Sequence, residues 1–224
     1  MDKKFSCIVP AYNEERYIGN VLEVHTEHPL IDEVIVVDDG SHDGTANVAT
    51  KFKVSVISQK NQGKSASVIN GIRAAKNDYI VLIDADLIGL TTEGVSALLD
   101  PVLNAEADIS ISLRKNSYLF YRMIGLDFVA GERAFKREFI EPYLDEISKL
   151  KGFGLEVFLN NKIIQEKLKI KVVYLKTLIS PRKSVKIGFF RGRLDDLKMA
   201  GQILKTISIF DIVRQNVKMR SQRV

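Results

Sequence analysis

The stretch "YIVLIDADL", residues 79–87, decides how this chain reads. An apolar run ends in two aspartates, Asp84 and Asp86, with a single alanine, Ala85, between them. A short run rich in Val and Ile reads as a buried strand. Two carboxylates at its tip repel each other unless a cation lies between them. Alone, the pattern suits a solvated turn after a strand equally well, so the surrounding sequence has to choose.

Working outward, "FSCIVP" (5–10), "EVIVVDD" (33–39), "VSVIS" (54–58), "ADISIS" (107–112) and "IKVVYLK" (170–176) also read as strands. Helical patterns over 14–27, 43–52, 64–76 and 92–104 fall between the early ones, with Asp43 and Thr91 or Thr92 placed as caps. Alternating strands and helices predict right-handed βαβ units. Continuous apolar strands predict a mostly parallel sheet covered by helices on both faces. After residue 113 the rhythm changes: 116–146 is aromatic and irregular, then helical, and "LEVFLNNKIIQEK" (155–167) is an amphipathic helix. The simplest organisation is a domain over 1–188 and a basic amphipathic C-terminal arm over 189–224.

Length, composition and charge set the limits. A chain of 224 residues, 46% hydrophobic and 27% charged, suits one large α/β domain. One cysteine, Cys7, excludes an intrachain disulfide, and with three histidines it argues against a Cys/His zinc site. The N-terminus lacks the apolar core of a signal peptide. No apolar run reaches the roughly 18–20 residues that span a bilayer. These features suit a cytoplasmic protein. The net charge of +5 is uneven: residues 182–224 hold eleven Lys/Arg against three Asp, and residues 1–181 carry a net negative charge. A basic tail points to a local anionic partner, such as a membrane surface or phosphate groups, and not to a nucleic-acid binder.

In open α/β sheets, ligands bind beyond the carboxyl ends of the strands. Polar residues collect there: "PAYNE" (10–14), "DDGSHDGT" (38–45), "QKNQGKS" (59–65) and "DAD" (84–86). Asp84 and Asp86 suit Mg²⁺ or Mn²⁺, which take few protein carboxylates and leave positions for water and substrate phosphate. Asp38 and Asp39 are placed to accept from ribose or a base N–H, or to close the Gly-Ser turn that follows. "NQGKS" fails as a P-loop because position 58 is serine. Lys64 still offers a cation near a diphosphate, or else a solvated helix N-terminus.

These residues together resemble the family 2 glycosyltransferases, through "IVPAYNEE" (8–15), "VIVVDDGSHDGT" (34–45), "NQGK" (61–64) and "LIDADL" (82–87). The resemblance implies the GT-A fold, a nucleotide-diphosphate sugar (UDP- or GDP-linked) and a divalent metal. The second half is similar to polyprenyl-phosphate mannose or glucose synthases, through "AGERAFKRE" (130–138), "GFGLE" (152–156) and "SPRKSVK" (180–186). By that resemblance Pro10, Tyr12, Glu14, Val36 and Asp38 would hold the nucleoside. Asp84, Ala85 and Asp86 would hold metal and diphosphate. Arg114, Arg133, Arg182 and Lys186 would bind donor or acceptor phosphates. Departures from the pattern are Ile88 where a glutamine often stands, "SLR" (112–114) for "GSR", and the absence of the glycine of the Arg…Gly-x-Ser-Lys loop from "SPRKSVK".

The implied acceptor is a polyprenyl phosphate at the cytoplasmic face of a membrane, with room for a homodimer or a membrane-subunit partner. A phosphate acceptor, ionised near pH 7, needs no strong base. Glu156 is the base candidate if the acceptor is a hydroxyl, and its other reading is a glutamate favoured at a helix N-terminus. "GERAFKRE" with "GFGLE" is also similar to glucosyl-3-phosphoglycerate and mannosylglycerate synthases, which act on a small soluble acid. A non-catalytic nucleotide-sugar-binding protein is the reading from another class.

Overall fold

The computed structural model describes residues 3–117, 121–122, 125–127, 130–150, 154–181 and 209–224. Their centre is a seven-stranded sheet. The strands are β1 (Phe5–Ala11), β2 (Ile31–Asp38), β3 (Ser55–Ser58), β4 (Tyr79–Leu82), β5 (Ile109–Arg114), β6 (Arg133–Lys136) and β7 (Ile170–Leu175). Their spatial order is β3-β2-β1-β4-β6-β5-β7. Every pairing is parallel except those of β6, which runs antiparallel to both β4 and β5. The helices are α1 (Ile18–Thr26), α2 (Thr45–Ala49), α3 (Lys64–Ala74), α4 (Thr92–Leu103), α5 (Gly154–Glu166) and α6 (Ile209–Ser221), with short helical turns over 137–147.

Alternation along each strand sends successive side chains to opposite faces. Cys7, Val9, Val34, Val36, Val81 and Ile83 meet Ile18, Val21 and Leu22 of α1 and Val95, Leu98 and Leu99 of α4. Ile8, Ile35, Val37, Ile80 and Leu82 meet Val68, Ile69 and Ile72 of α3, and Leu155, Leu159 and Ile163 of α5. Each such fully buried aliphatic side chain contributes roughly 1.5–3 kcal/mol over leaving it in water. Both faces are covered, as continuous apolar strands require. Thr91 caps α4 by accepting from the Gly94 amide at 3.1 Å. Asp43 acts one residue ahead of the α2 N-cap, accepting from the Thr45 amide at 3.0 Å. Gly71 lets α3 lie directly on β1, since a Cβ there would collide with Ile8.

β6 is the main departure from the expected elements. The sequence around it reads as irregular, then helical, because Ala134 and Phe135 are the only apolar residues in a charged stretch. The strand forms because it bridges β4 and β5, burying Phe135 on one face and Ala134 on the other.

Of the expected C-terminal arm, residues 189–208 lie outside the described residues. Residues 209–224 pack on the domain. Met219 is fully buried with Ile163 and Ile170. Ile170 donates to the Gln222 carbonyl, and Val224 donates back to Ile170, at 2.9 and 3.0 Å. No helix among the described residues is long and apolar enough to cross a membrane.

Candidate active site

The carboxyl ends of β1, β2 and β4 and the first turn of α3 enclose a cleft of about 240 Å³. It is lined by Pro10, Ala11, Tyr12 and Glu14 after β1, Asp39 after β2, Lys64 and Ser67 on α3, and Asp84, Ala85 and Asp86 after β4. All four polar clusters expected at one edge of the sheet therefore flank one space.

The neighbouring aspartates divide the work. Asp39 faces the cleft, yet its carboxylate accepts from Gln59 Nε2 at 2.7 Å and from the Gln62 and Gly63 amides, each at 2.8 Å. Those bonds fasten the 59–63 loop and so fix where α3 begins. Asp38 accepts from the Ser41 amide at 3.3 Å, closing the Gly-Ser turn. Val36 sits in the core rather than on the cleft wall. Tyr12 is 43% exposed and offers an aromatic face at the mouth.

Lys64 is the electrostatic centre. Its ammonium lies 2.7 Å from Asp84 Oδ1 and 3.0 Å from Glu156 Oε1. Burial works against its charge, but the two carboxylates outweigh that and hold the amine above its ordinary value. Glu156 is only 3% exposed. Its other oxygen, Oε2, is buried with no hydrogen-bond partner. Gly131 leaves room for the cluster, since a Cβ there would lie 2.6 Å from Asp84 Oδ2 and 2.8 Å from Lys64 Nζ.

The arginines stand behind the cleft. Arg133 is 1% exposed, donates from Nε to the Ala130 carbonyl at 2.9 Å, and from Nη1 to Asn160 Oδ1 at 2.8 Å. Burial pulls its guanidinium below the ordinary value, opposed by Glu156, Asp127, Glu132 and Asp84. Arg114 pairs with Glu132 at 3.2 Å and Asp127 at 3.6 Å. Burial opposes its charge too, but Glu132, Asp127, Asp84 and Asp86 together raise its value. The Glu132 carboxyl is held above its usual range by burial, with Asp84 adding to the effect. Both arginines thus compensate the acidic cluster from within the wall. Arg182 and Lys186 lie outside the described residues.

Asp86 accepts from Ser180 Oγ at 3.3 and 3.4 Å. The donor set fits a hard divalent cation. Asp84 and Asp86 could offer oxygen ligands from an open cleft wall. Around them, Asp84, Asp86, Asp127, Glu132 and Glu156 outnumber Lys64, Arg114 and Arg133 by two charges when all are ionised.

Sequence reasoning missed Gly131, Asn160, Asp127, Glu132 and Ser180. For Gly131, Glu132 and Ser180 a signal existed, because the first two immediately precede Arg133 in "AGERAFKRE" and Ser180 opens "SPRKSVK". The others act through contacts distant in sequence.

The model of the family described as "Glycosyl transferase family 2" matches residues 6–124. The glycosyltransferase GlyG of Streptococcus pneumoniae is 31% identical over 147 residues, or 60% of this chain. The chain spans about half or less of the pneumococcal relatives it matches: 48% of GlyG and 23% of GlyA. The UDP-N-acetylglucosamine–dolichyl-phosphate N-acetylglucosaminyltransferase of Methanococcus voltae is 26% identical, over 91% of this chain and 99% of that protein. A crystal structure of glucosyl-3-phosphoglycerate synthase from Mycobacterium tuberculosis, with Mn²⁺, UDP-glucose and glycerol 3-phosphate, superposes with a TM-score of 0.72 at 25% identity. It covers 91% of this chain and 78% of that one. The architecture is the GT-A fold.

Proposed function

Because the chain belongs to glycosyl transferase family 2, we propose that it transfers a hexose from a UDP- or GDP-linked sugar, with Mg²⁺ or Mn²⁺, to a polyprenyl phosphate at a membrane surface. The observation that carries the reading is the strand-end cleft in which Asp84, Asp86 and Lys64 share one wall. Tyr12, Glu14, Pro10 and Asp39 would receive the nucleoside. Asp84 and Asp86 would hold the metal, which when bound supplies Lewis-acid neutralisation of the diphosphate leaving group. Lys64 adds a second cation on that side. Arg133 and Arg114 hold the carboxylates in place from behind, and so act as positioning residues.

The acceptor reading draws on two points. Glu156 is buried and paired with Lys64, so it is poorly placed to take a proton from an acceptor hydroxyl. A phosphate acceptor needs no such base. The Methanococcus relative, named for transfer to dolichyl phosphate, matches over 91% of this chain and 99% of its own length. The basic, apolar-rich residues 182–208 would bring the cleft to anionic lipid. A second reading, transfer to a small phosphorylated acid, is favoured by the likeness to glucosyl-3-phosphoglycerate synthase. In that case Glu156 would have to leave Lys64 to serve as base.

The test pairs each UDP- or GDP-sugar with a short polyprenyl phosphate or with 3-phosphoglycerate, and identifies the glycosylated product by mass spectrometry. Glycosylated lipid phosphate supports the first reading; glycosylated phosphoglycerate alone replaces it with the second.

A further inference from the structure

Lys64 serves two carboxylates at once, Asp84 at 2.7 Å and Glu156 at 3.0 Å. Its backbone is fixed, because it opens α3 and α3 lies tightly on β1 through Gly71. Its side chain is not sealed in: about a third of it, 34%, is exposed to the cleft. A divalent cation gathered by Asp84 and Asp86 would meet this ammonium on the same carboxylate. Two positive charges a few ångström apart repel strongly, even with substantial screening. The unpartnered Oε2 of Glu156 and the bare wall at Gly131 leave space beside Lys64, in a pocket that Arg133 also lines.

We propose that Lys64 is a placeholder cation. It neutralises Asp84 and Glu156 until donor arrives, yields Asp84 to the metal, and swings onto the incoming diphosphate. The inference rests on the metal reading of Asp84 and Asp86 given above. Its consequence is thermodynamic: metal alone binds weakly, because it must displace the lysine. Metal and nucleoside diphosphate bind with strong positive coupling, because the diphosphate gives the lysine somewhere to go.

The experiment titrates Mn²⁺ into the full chain by electron paramagnetic resonance, alone and with saturating UDP or GDP. The wild type should bind free Mn²⁺ weakly and bind it at least about tenfold more tightly with the matching nucleotide. Lys64→Met should raise the affinity for Mn²⁺ alone by about tenfold and shrink the nucleotide coupling. Lys64→Gln, which keeps a donor for Glu156, carries the same expectation if the Met variant fails to fold. Lys60→Met removes the same charge from the neighbouring loop without removing the contact. It should change Mn²⁺ affinity by less than about twofold, because solvent screens it. The proposal is overturned if both Lys64 variants bind free Mn²⁺ no more tightly than the wild type, or if Lys60→Met raises affinity equally. If the wild type binds no Mn²⁺ even with UDP or GDP, the metal reading itself fails and takes this inference with it.

Discussion

Gly131→Ala separates the geometry of the site from the stability of the fold. The new Cβ would sit 2.6 and 2.8 Å from the two Asp84 carboxylate oxygens and 2.8 Å from Lys64 Nζ. Unstrained contacts of this kind begin near 3.5 Å, so the carboxylate and ammonium must retreat by about 0.7–0.9 Å. Overpacking costs about 1–3 kcal/mol, and the low end applies because the atoms displaced are the ends of side chains. For a chain of this size that lowers Tm by about 2–4 °C. A ligand carboxylate misplaced by nearly 1 Å costs far more in rate, about 100-fold. Thermal melting should therefore show a near-native protein, and Mn²⁺-dependent release of nucleoside diphosphate should fall by about two orders of magnitude. Activity within about twofold of wild type would refute the placement of Asp84 at the reacting centre. A melting temperature lowered by more than about 10 °C would show instead that Gly131 is simply structural.

Other perturbations act on different parts of the account. Asp86→Asn should abolish metal-dependent turnover while leaving the fold intact, since asparagine keeps the shape of the side chain and an oxygen that accepts from Ser180; retained turnover in that variant counts against a metal ligand. Arg133→Met should lose about 3 kcal/mol of stability as well as activity, because Asn160 and the Ala130 carbonyl lose their donor inside the wall; denaturant titration reads the loss. His25 is fully buried, and burial lowers its pKa to about 4. The unfolded chain, with His near 6.5, binds the proton first, so stability is complete above about pH 6.5 and falls by about 3 kcal/mol as pH drops to about 4. Urea melts across that range should show the slope, and His25→Asn should flatten it. Replacing Lys183, Lys186, Arg191, Arg193, Lys198 and Lys205 with Gln should abolish flotation with anionic liposomes at low salt; unchanged flotation makes those charges irrelevant to membranes. Substitution is preferred to truncation because Met219, further along, is part of the core.

The sequence disclosed the cleft because its physics is local. Each early strand is a run of apolar residues that ends in polar ones, and a parallel sheet places those ends along one edge. Asp84, Asp86, Lys64 and Asp39 are placed at that edge by this pattern, and Tyr12 enters through the family resemblance. What stayed hidden depends on partners far along the chain. Arg133 carries the charge of a phosphate ligand, and only the packing of α5, which brings Asn160 against it, makes it an interior residue. Arg114 is turned inward by Glu132 and Asp127 in the same way. β6 lacks a strand's hydrophobic pattern and is imposed by its two neighbours. Reading 189–224 as a basic amphipathic arm did not disclose that Gln215, Asn216 and Met219 are buried on the domain.

The central claim is metal-dependent cleavage of a nucleotide-sugar bond in the cleft that Asp84, Asp86 and Lys64 line. The most direct measurement follows nucleoside diphosphate released from a panel of UDP- and GDP-sugars, with polyprenyl phosphate present, before and after EDTA. The account predicts release from at least one donor, loss of release with EDTA, recovery with Mn²⁺ or Mg²⁺, and no release from Asp86→Asn. Release that survives EDTA, or that Asp86→Asn retains in full, would contradict the claim. So would nucleotide binding with no release from any donor, which is the behaviour of a binding protein.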